Sequence, residues 1–279
     1  MVQLLYPCID NDSLLDTIIA NKKREKREAL LPYTGKIKKR YNYYKEHYND
    51  MESIHSWGTV WGPIKDELIS CYGNNVAFSA AKKELTAAMP TIIQNSCPYC
   101  MLNRPNTFDH YFDKSDYPEY AVFIPNLVLC CSECNTLKGT MMFDSAGQRK
   151  FVHFYHDAIP DYQFLFIRLR NTKKDIIPEI NVFLQFREDE KQKDILSAHF
   201  HNLELHRKYK DSINGKLSVI MNEILNNVGS RFSYDDIQTL LENRFQAMVA
   251  HYGLNYWESC VYEGILNSPE FLNNVVSRV

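Results

Sequence analysis

Cys97-Pro98-Tyr99-Cys100, Phe108-Asp109-His110-Tyr111, Asn126-Leu127-Val128-Leu129 and Cys130-Cys131-Ser132-Glu133-Cys134-Asn135-Thr136-Leu137-Lys138-Gly139 follow one another within a short window of the chain. Two Cys-x-x-Cys pairs bracket an Asp-His pair and two asparagines. A Cys-x-x-Cys turn places two sulfurs on one side of a tetrahedron, the arrangement structural zinc favours. The intervening stretch is longer than the roughly 15–20 residues of an ordinary ribbon, so the loop has room for further function. The second pair is read as Cys131 and Cys134 from its spacing, with Cys130 as the alternative to Cys131.

The side chains inside the clamp suit a second metal. Asp109 offers a carboxylate and Asn135 an amide oxygen, hard donors of the kind Mg²⁺ or Mn²⁺ takes. His110, free of the zinc, is of the right type for a general base near neutral pH. On an extended strand Asp109 and His110 point to opposite sides, so one can hold an ion while the other faces a water. Asn126 is expected to brace the loop through side-chain to backbone bonds. Lys114 and Lys138 are the expected phosphate contacts.

The order of these residues resembles the HNH (ββα-metal) endonuclease family in its zinc-ribbon form: a Cys pair, Asp109-His110 on a first strand, Asn126 before a second, then Cys131-Ser-Glu-Cys134-Asn135-Thr-Leu-Lys138-Gly139 at a helix. The resemblance implies DNA phosphodiester hydrolysis. His110 would be the general base, Asp109 and Asn135 ligands of the catalytic ion, Asn126 the loop-ordering residue, and Asn135 stands at the family's third letter. The run from Asp109 to Tyr120, with Asn126 to Leu129, is similar to HNH proteins found beside bacterial phage-defence ATPases, which often carry Pro where Asp113 stands. Phe151 to Asp157 and the stretch from His199 also resemble their flanking segments. DNA and a partner ATPase are the implied partners, and no membrane or small-molecule cofactor is expected. A zinc ribbon that binds nucleic acid without cutting remains the alternative.

Around this window the chain of 279 residues reads as an ordinary globular protein, 45% apolar and 24% charged with a net charge of −2. That balance does not announce nucleic acid, so any basic surface must be local. Five of the eight cysteines lie in the window, which argues for metal rather than a disulfide scaffold. Cys8, Cys71 and Cys260 are expected to be buried, as are Trp57, Trp61 and Trp257. No apolar run is long enough to span a bilayer. The N-terminus does not read as a secretory signal, which points to the cytoplasm. There is no glycine-rich phosphate loop, so nucleotide gating would need a partner.

The expected architecture is α+β. It comprises an N-terminal helical region (1–95), a central ββα-metal module with zinc (96–150), and a C-terminal region (151–279) of a β-hairpin followed by helices. Helices are expected from Lys36 to about Met51, over Lys65–Cys71 and over Val76–Met89, with a short one over Ser132–Lys138 stopped by Gly139. Strand candidates are Val122–Ile124, Leu127–Leu129, Phe164–Leu169 and Ile180–Phe186, the last two joined by a charged turn at Asn171–Asp175. Ser233 is a candidate N-cap. The stretch 21–45 holds ten Lys and Arg against two Glu, with tyrosines interleaved. It suits a nucleic-acid backbone or a solvated helix face equally. His153 and His156, and His199, His201 and His206, read as packed or interface residues rather than ligands.

Overall fold

A computed structural model describes residues 4–5, 8–170, 178–228 and 233–276. It is mainly helical with two small antiparallel sheets. The chain divides into two compact units, Val2–Ala158 and Ile159–Val279.

The first unit opens with α1 (Asn11–Ala20), α2 (Arg24–Leu30) and α3 (Thr34–Glu46). Asp10 caps α1 by accepting the Asp12 and Ser13 amides at 3.1 Å. In α3 the residues Ile37, Arg40, Tyr41 and Tyr44 recur at one helical face, and all four are buried. Tyr41 stacks on Phe123 with centroids 4.2 Å apart, and Tyr44 meets Phe123 edge-on at 5.1 Å. Four short helices follow: α4 (Gly58–Trp61), α5 (Lys65–Ser70), α6 (Val76–Ala88) and α7 (Thr91–Asn95). Asn75 caps α6 and also reaches back to the Ile18 carbonyl, tying α6 to α1.

The helices enclose β1 (Thr107–His110) and β2 (Leu127–Cys130), which pair antiparallel with Asp109 opposite Val128 and His110 opposite Leu127. Helix α8 (Ser132–Lys138) follows β2 directly. It ends at Gly139, whose φ of 52° and ψ of −133° suit glycine, which has no Cβ to clash. Beyond it, Arg149 forks onto both oxygens of Asp157 and bonds Glu52 through Nε, pinning the return of the chain.

The second unit is built on the hairpin of β3 (Leu165–Arg170) and β4 (Glu179–Leu184), with Leu165 opposite Leu184 and Arg170 opposite Glu179. Its helices are α9 (Lys193–Asn202), α10 (Leu205–Val228), α11 (Tyr234–Tyr252), α12 (Trp257–Leu266) and α13 (Pro269–Val276). Leu165, Ile167 and Leu169 alternate inward, where α12 crosses. Gly264 permits that crossing, since a Cβ there would stand 2.7 Å from the Ile167 carbonyl oxygen. Asn255 accepts the Phe164 and Leu165 amides at 2.8 and 3.0 Å and fixes the start of β3. Ser233 and Asp236 cap α11 reciprocally.

Several expectations are corrected. Val122–Ile124 is not a strand: the chain there runs through 3₁₀ turns at Pro118–Tyr120 and Ile124–Asn126. Pro125 has no amide to donate to a ladder, and Phe123 packs instead on Tyr41 and Tyr44 of α3. Helix α3 stops at Glu46, short of Met51. Cys8 is exposed. Trp57 is 40% exposed, stacked on Trp61 with centroids 6.2 Å apart. The expected turn at Asn171–Asp175 lies outside the described residues.

Candidate functional site

The two cysteine knuckles converge. The Sγ atoms of Cys97, Cys100, Cys131 and Cys134 all lie within 4.8 Å of one another, and all four residues are buried. Cys100 and Cys131 are 3.9 Å apart. Tetrahedral Zn–S bonds of about 2.3 Å require sulfur separations of about 3.8 Å, so the donor set could hold a zinc ion. The local backbone builds this geometry. The Cys131 amide donates to Cys97 Sγ at 3.2 Å, and the Cys134 amide to Cys131 Sγ at 3.4 Å. Met101 closes the first knuckle at a positive φ of 54°, a conformation that costs a non-glycine residue about 1–2 kcal/mol. Hydrogen bonds from Cys100, then Cys134 and Cys97, hold the Cys131 thiol far below its ordinary value, while burial pushes Cys97 up. Cys130 lies on β2 outside the cluster, and burial pushes its thiol up. Geometry therefore selects Cys131.

Beside the clamp is a cleft of ≈ 340 Å³, lined by Asp109, His110 and Asn135 together with Lys114, Tyr72 and residues of β1 and the end of α8. His110 is 7% exposed. Its Nε2 lies 2.9 Å from the Ala121 carbonyl oxygen. A carbonyl only accepts, so Nε2 carries the hydrogen and Nδ1 is left as the acceptor. Burial first, with a contribution from the Lys114 charge, pushes the ring's pKa down to about 4. The imidazole is thus neutral near pH 7, with one defined basic nitrogen. Tyr72 packs against this ring with centroids 4.5 Å apart.

Asp109 points the other way. Its Oδ2 accepts from Tyr99 OH at 2.7 Å and its Oδ1 from Lys138 Nζ at 3.1 Å. Burial raises its carboxyl pKa, opposed by Lys138 and then by the Tyr99 bond. Lys138 Nζ also donates to the His110 carbonyl at 2.9 Å. Lys138, expected at a phosphate, is fully buried under β1, which corrects that expectation: α8 turns its last basic residue inward onto Asp109. Lys114 is half-buried, 4.6 Å from the Tyr72 ring centroid at the cleft. Asn135, one residue after Cys134, is half-buried at the cleft wall. Asp109 and Asn135 are hard oxygen donors by type, and both Asp109 oxygens accept hydrogen bonds within the protein.

Asn126 is buried behind the cleft. Its Oδ1 accepts the Phe112 amide at 2.8 Å, and Nδ2 donates to the Phe112 and Tyr120 carbonyls at 3.0 and 3.3 Å. It joins the end of β1 to the start of β2. Asp113 shapes the same loop by accepting the Ser115 amide at 2.7 Å. Tyr72 and Tyr99 were not singled out from sequence. Tyr99 had a signal, since it lies between the cysteines of the first knuckle; Tyr72 had none.

Histidines outside the cleft make hydrogen bonds within the protein. His153 Nε2 meets Tyr44 OH at 2.9 Å within the core, and His206 Nδ1 meets the Val182 carbonyl at 3.0 Å. Among the described residues neither histidine group forms a metal cluster. In the basic stretch 21–45, Arg40 is buried against Glu119 at 2.9 Å, Lys22 bonds the Ser70 carbonyl, and Lys38 and Arg24 pair with Asp16 and Glu28. Arg27 also reaches the Ala20 carbonyl, so at least five of those ten cations bond within the protein.

Comparison with known proteins adds one distant relative. Protein ea31 of Escherichia phage lambda is 22% identical over 196 residues, 64% of this chain and 64% of that protein. The match thus spans less than two thirds of the relative. No family model matches the chain, and no solved structure matches it. Among the described residues no helix is long and apolar enough to cross a membrane.

Proposed function

We propose that this chain is a metal-dependent endonuclease that hydrolyses DNA phosphodiester bonds with HNH-type chemistry. One observation carries the reading. The Ala121 carbonyl holds His110 in the tautomer whose free nitrogen is Nδ1, at a cleft that Asp109 and Asn135 also line. A neutral, oriented imidazole suits a general base. His110 Nδ1 takes a proton from the attacking water, a bond forms between the water oxygen and phosphorus, and the bond from phosphorus to the 3′ oxygen breaks. The products are a 5′ phosphate and a 3′ hydroxyl, the latter protonated by solvent. Asp109 and Asn135 would hold Mg²⁺ or Mn²⁺, which when bound neutralises charge on the phosphate and the departing oxygen. Cys97, Cys100, Cys131 and Cys134 would hold zinc, which would fix α8, and with it Asn135, against β1. Lys114 at the cleft rim is the phosphate contact.

The same reading makes the chain the effector of an anti-phage system gated by a partner ATPase. It rests on the resemblance of Asp109–Leu129 and on the lack of a phosphate loop in this chain. One observation favours a second reading, a zinc-ribbon subunit that binds nucleic acid without cutting: Lys138 already neutralises Asp109. Supercoiled plasmid incubated with pure protein and Mn²⁺, alone and with the partner, separates them. Nicking abolished by EDTA supports the nuclease. Binding without nicking in both arms supports the second reading.

A further inference from the structure

The β3–β4 hairpin has a face that its own core leaves unused. Along β3 the inward residues alternate with Phe166, Arg168 and Arg170, and along β4 with Glu179, Asn181 and Phe183. The outward residues line up across the ladder, Phe166 opposite Phe183 and Arg168 opposite Asn181. The two phenylalanines are stacked, with centroids 5.7 Å apart and planes 21° apart, and both are half-exposed. The Arg168 guanidinium lies 5.1 Å from the Phe183 centroid. Next to it a cleft of ≈ 320 Å³ is lined by Arg168, Arg170, Asn181 and, from α10, Lys210. Arg168, Arg170 and Lys210 are exposed, and among the described residues none makes an ion pair. Among the described residues Glu179 is the single carboxylate lining this cleft.

We propose that this outer face is a docking surface for single-stranded nucleic acid. Bases stack on aromatic side chains whatever their sequence, and cations beside them track the phosphates. Both elements are here on one rigid strand pair, with the Asn181 amide between them to meet a base edge. A duplex hides its base faces, so the aromatic pair selects unpaired strands. Charge complementarity favours a polyanion over an apolar protein partner: among the described lining residues there are three cations against one carboxylate. The inference does not rest on the cleavage reading, because a protein that never cuts would bind in the same way.

The test uses the full chain carrying His110→Ala, so that binding is read without cleavage. Anisotropy of labelled oligothymidylate and oligouridylate is followed across a salt series, with duplex DNA as competitor. Arg168→Glu with Arg170→Glu is expected to weaken binding about tenfold or more. It should also flatten the slope of log K against log salt by about 1.4, the share of two phosphates on a single strand. Lys210→Glu, on α10 across the cleft from the arginines, should flatten it by about 0.7. Phe183→Leu should weaken binding about tenfold and leave the slope unchanged. Circular dichroism checks that each variant is folded. Unchanged affinity and slope in the folded arginine variant overturn the proposal, as does duplex competing as well as single strands, or no binding by the parent protein.

Discussion

Removing Lys138 should expose how Asp109 is held. Lys138→Met keeps the apolar stem and deletes Nζ. Asp109 Oδ1 then loses its partner at 3.1 Å, the His110 carbonyl loses its bond at 2.9 Å, and only the Tyr99 hydroxyl remains on the carboxylate. Both members of the pair are almost wholly buried, at 0% and 3% side-chain exposure. Stranding a buried charge in this way costs about 3–5 kcal/mol, which for a unit of this size lowers the melting temperature by about 6–20 °C. The sign with pH follows from burial. Asp109's carboxyl is already raised above 3.8, with Lys138 the largest opposing influence, so deletion raises it further. A raised acid pKa means stability is lost as pH rises from the unfolded value through the folded one. The deficit should therefore be larger at about pH 8 than at about pH 4. Because Asp109 is also the proposed ion ligand, Mn²⁺ at about 100 times its Kd should return roughly 2.7 kcal/mol to the variant and less to the parent, where Lys138 competes. Urea unfolding followed by circular dichroism, with and without Mn²⁺, measures all three effects. A loss below about 1 kcal/mol, the scale of an exposed pair, or a deficit independent of pH, would refute the reasoning.

Three further outcomes are expected. Cys134→Ser should lose bound zinc and the folded state of the Val2–Ala158 unit, since structural zinc contributes folding energy. Cys130→Ser should keep one zinc per chain, because Cys130 lies outside the cluster, and metal analysis of both variants checks this. Protonation of His110 should weaken the fold on acidification. Its pKa is pushed from 6.5 down to about 4, so the unfolded chain binds the extra proton first. Stability should fall as pH drops through that window, by about 3 kcal/mol in all. His110→Gln should remove this share of the acid sensitivity, and a variant as acid-sensitive as the parent would contradict it.

What the sequence made legible was chemistry at short range. Cys97-x-x-Cys100 and Cys131-x-x-Cys134 encode their own turns, so the clamp could be read without knowing the fold. Helix α8 was legible for the same reason, bounded by Cys131 and Gly139. The roles decided by distant partners were not legible. Arg40 looked like part of a basic stripe, but its partner Glu119 lies 79 residues away and draws it into the core. Lys138 read as a phosphate contact because nothing local shows that Asp109, 29 residues earlier, lies beneath it. Val122–Ile124 has the composition of a strand, and a short apolar run does not reveal whether it pairs or merely packs. The hairpin's outer face was the converse case: its strands were read, but the alternation of Phe166, Arg168 and Arg170 carries meaning only once Phe183 and Lys210 stand beside them.

The central claim is that His110 acts as the base at a cleft the cysteine clamp supports. The direct measurement is the rate of plasmid cleavage in Mn²⁺ by His110→Ala and by the parent protein, at equal zinc content and with any required partner present. Cleavage reduced by about 10²–10⁴-fold, the usual share of a general base, in a protein that keeps its zinc and its fold is the expected result. A folded, zinc-replete variant that cuts at the parental rate would contradict the account.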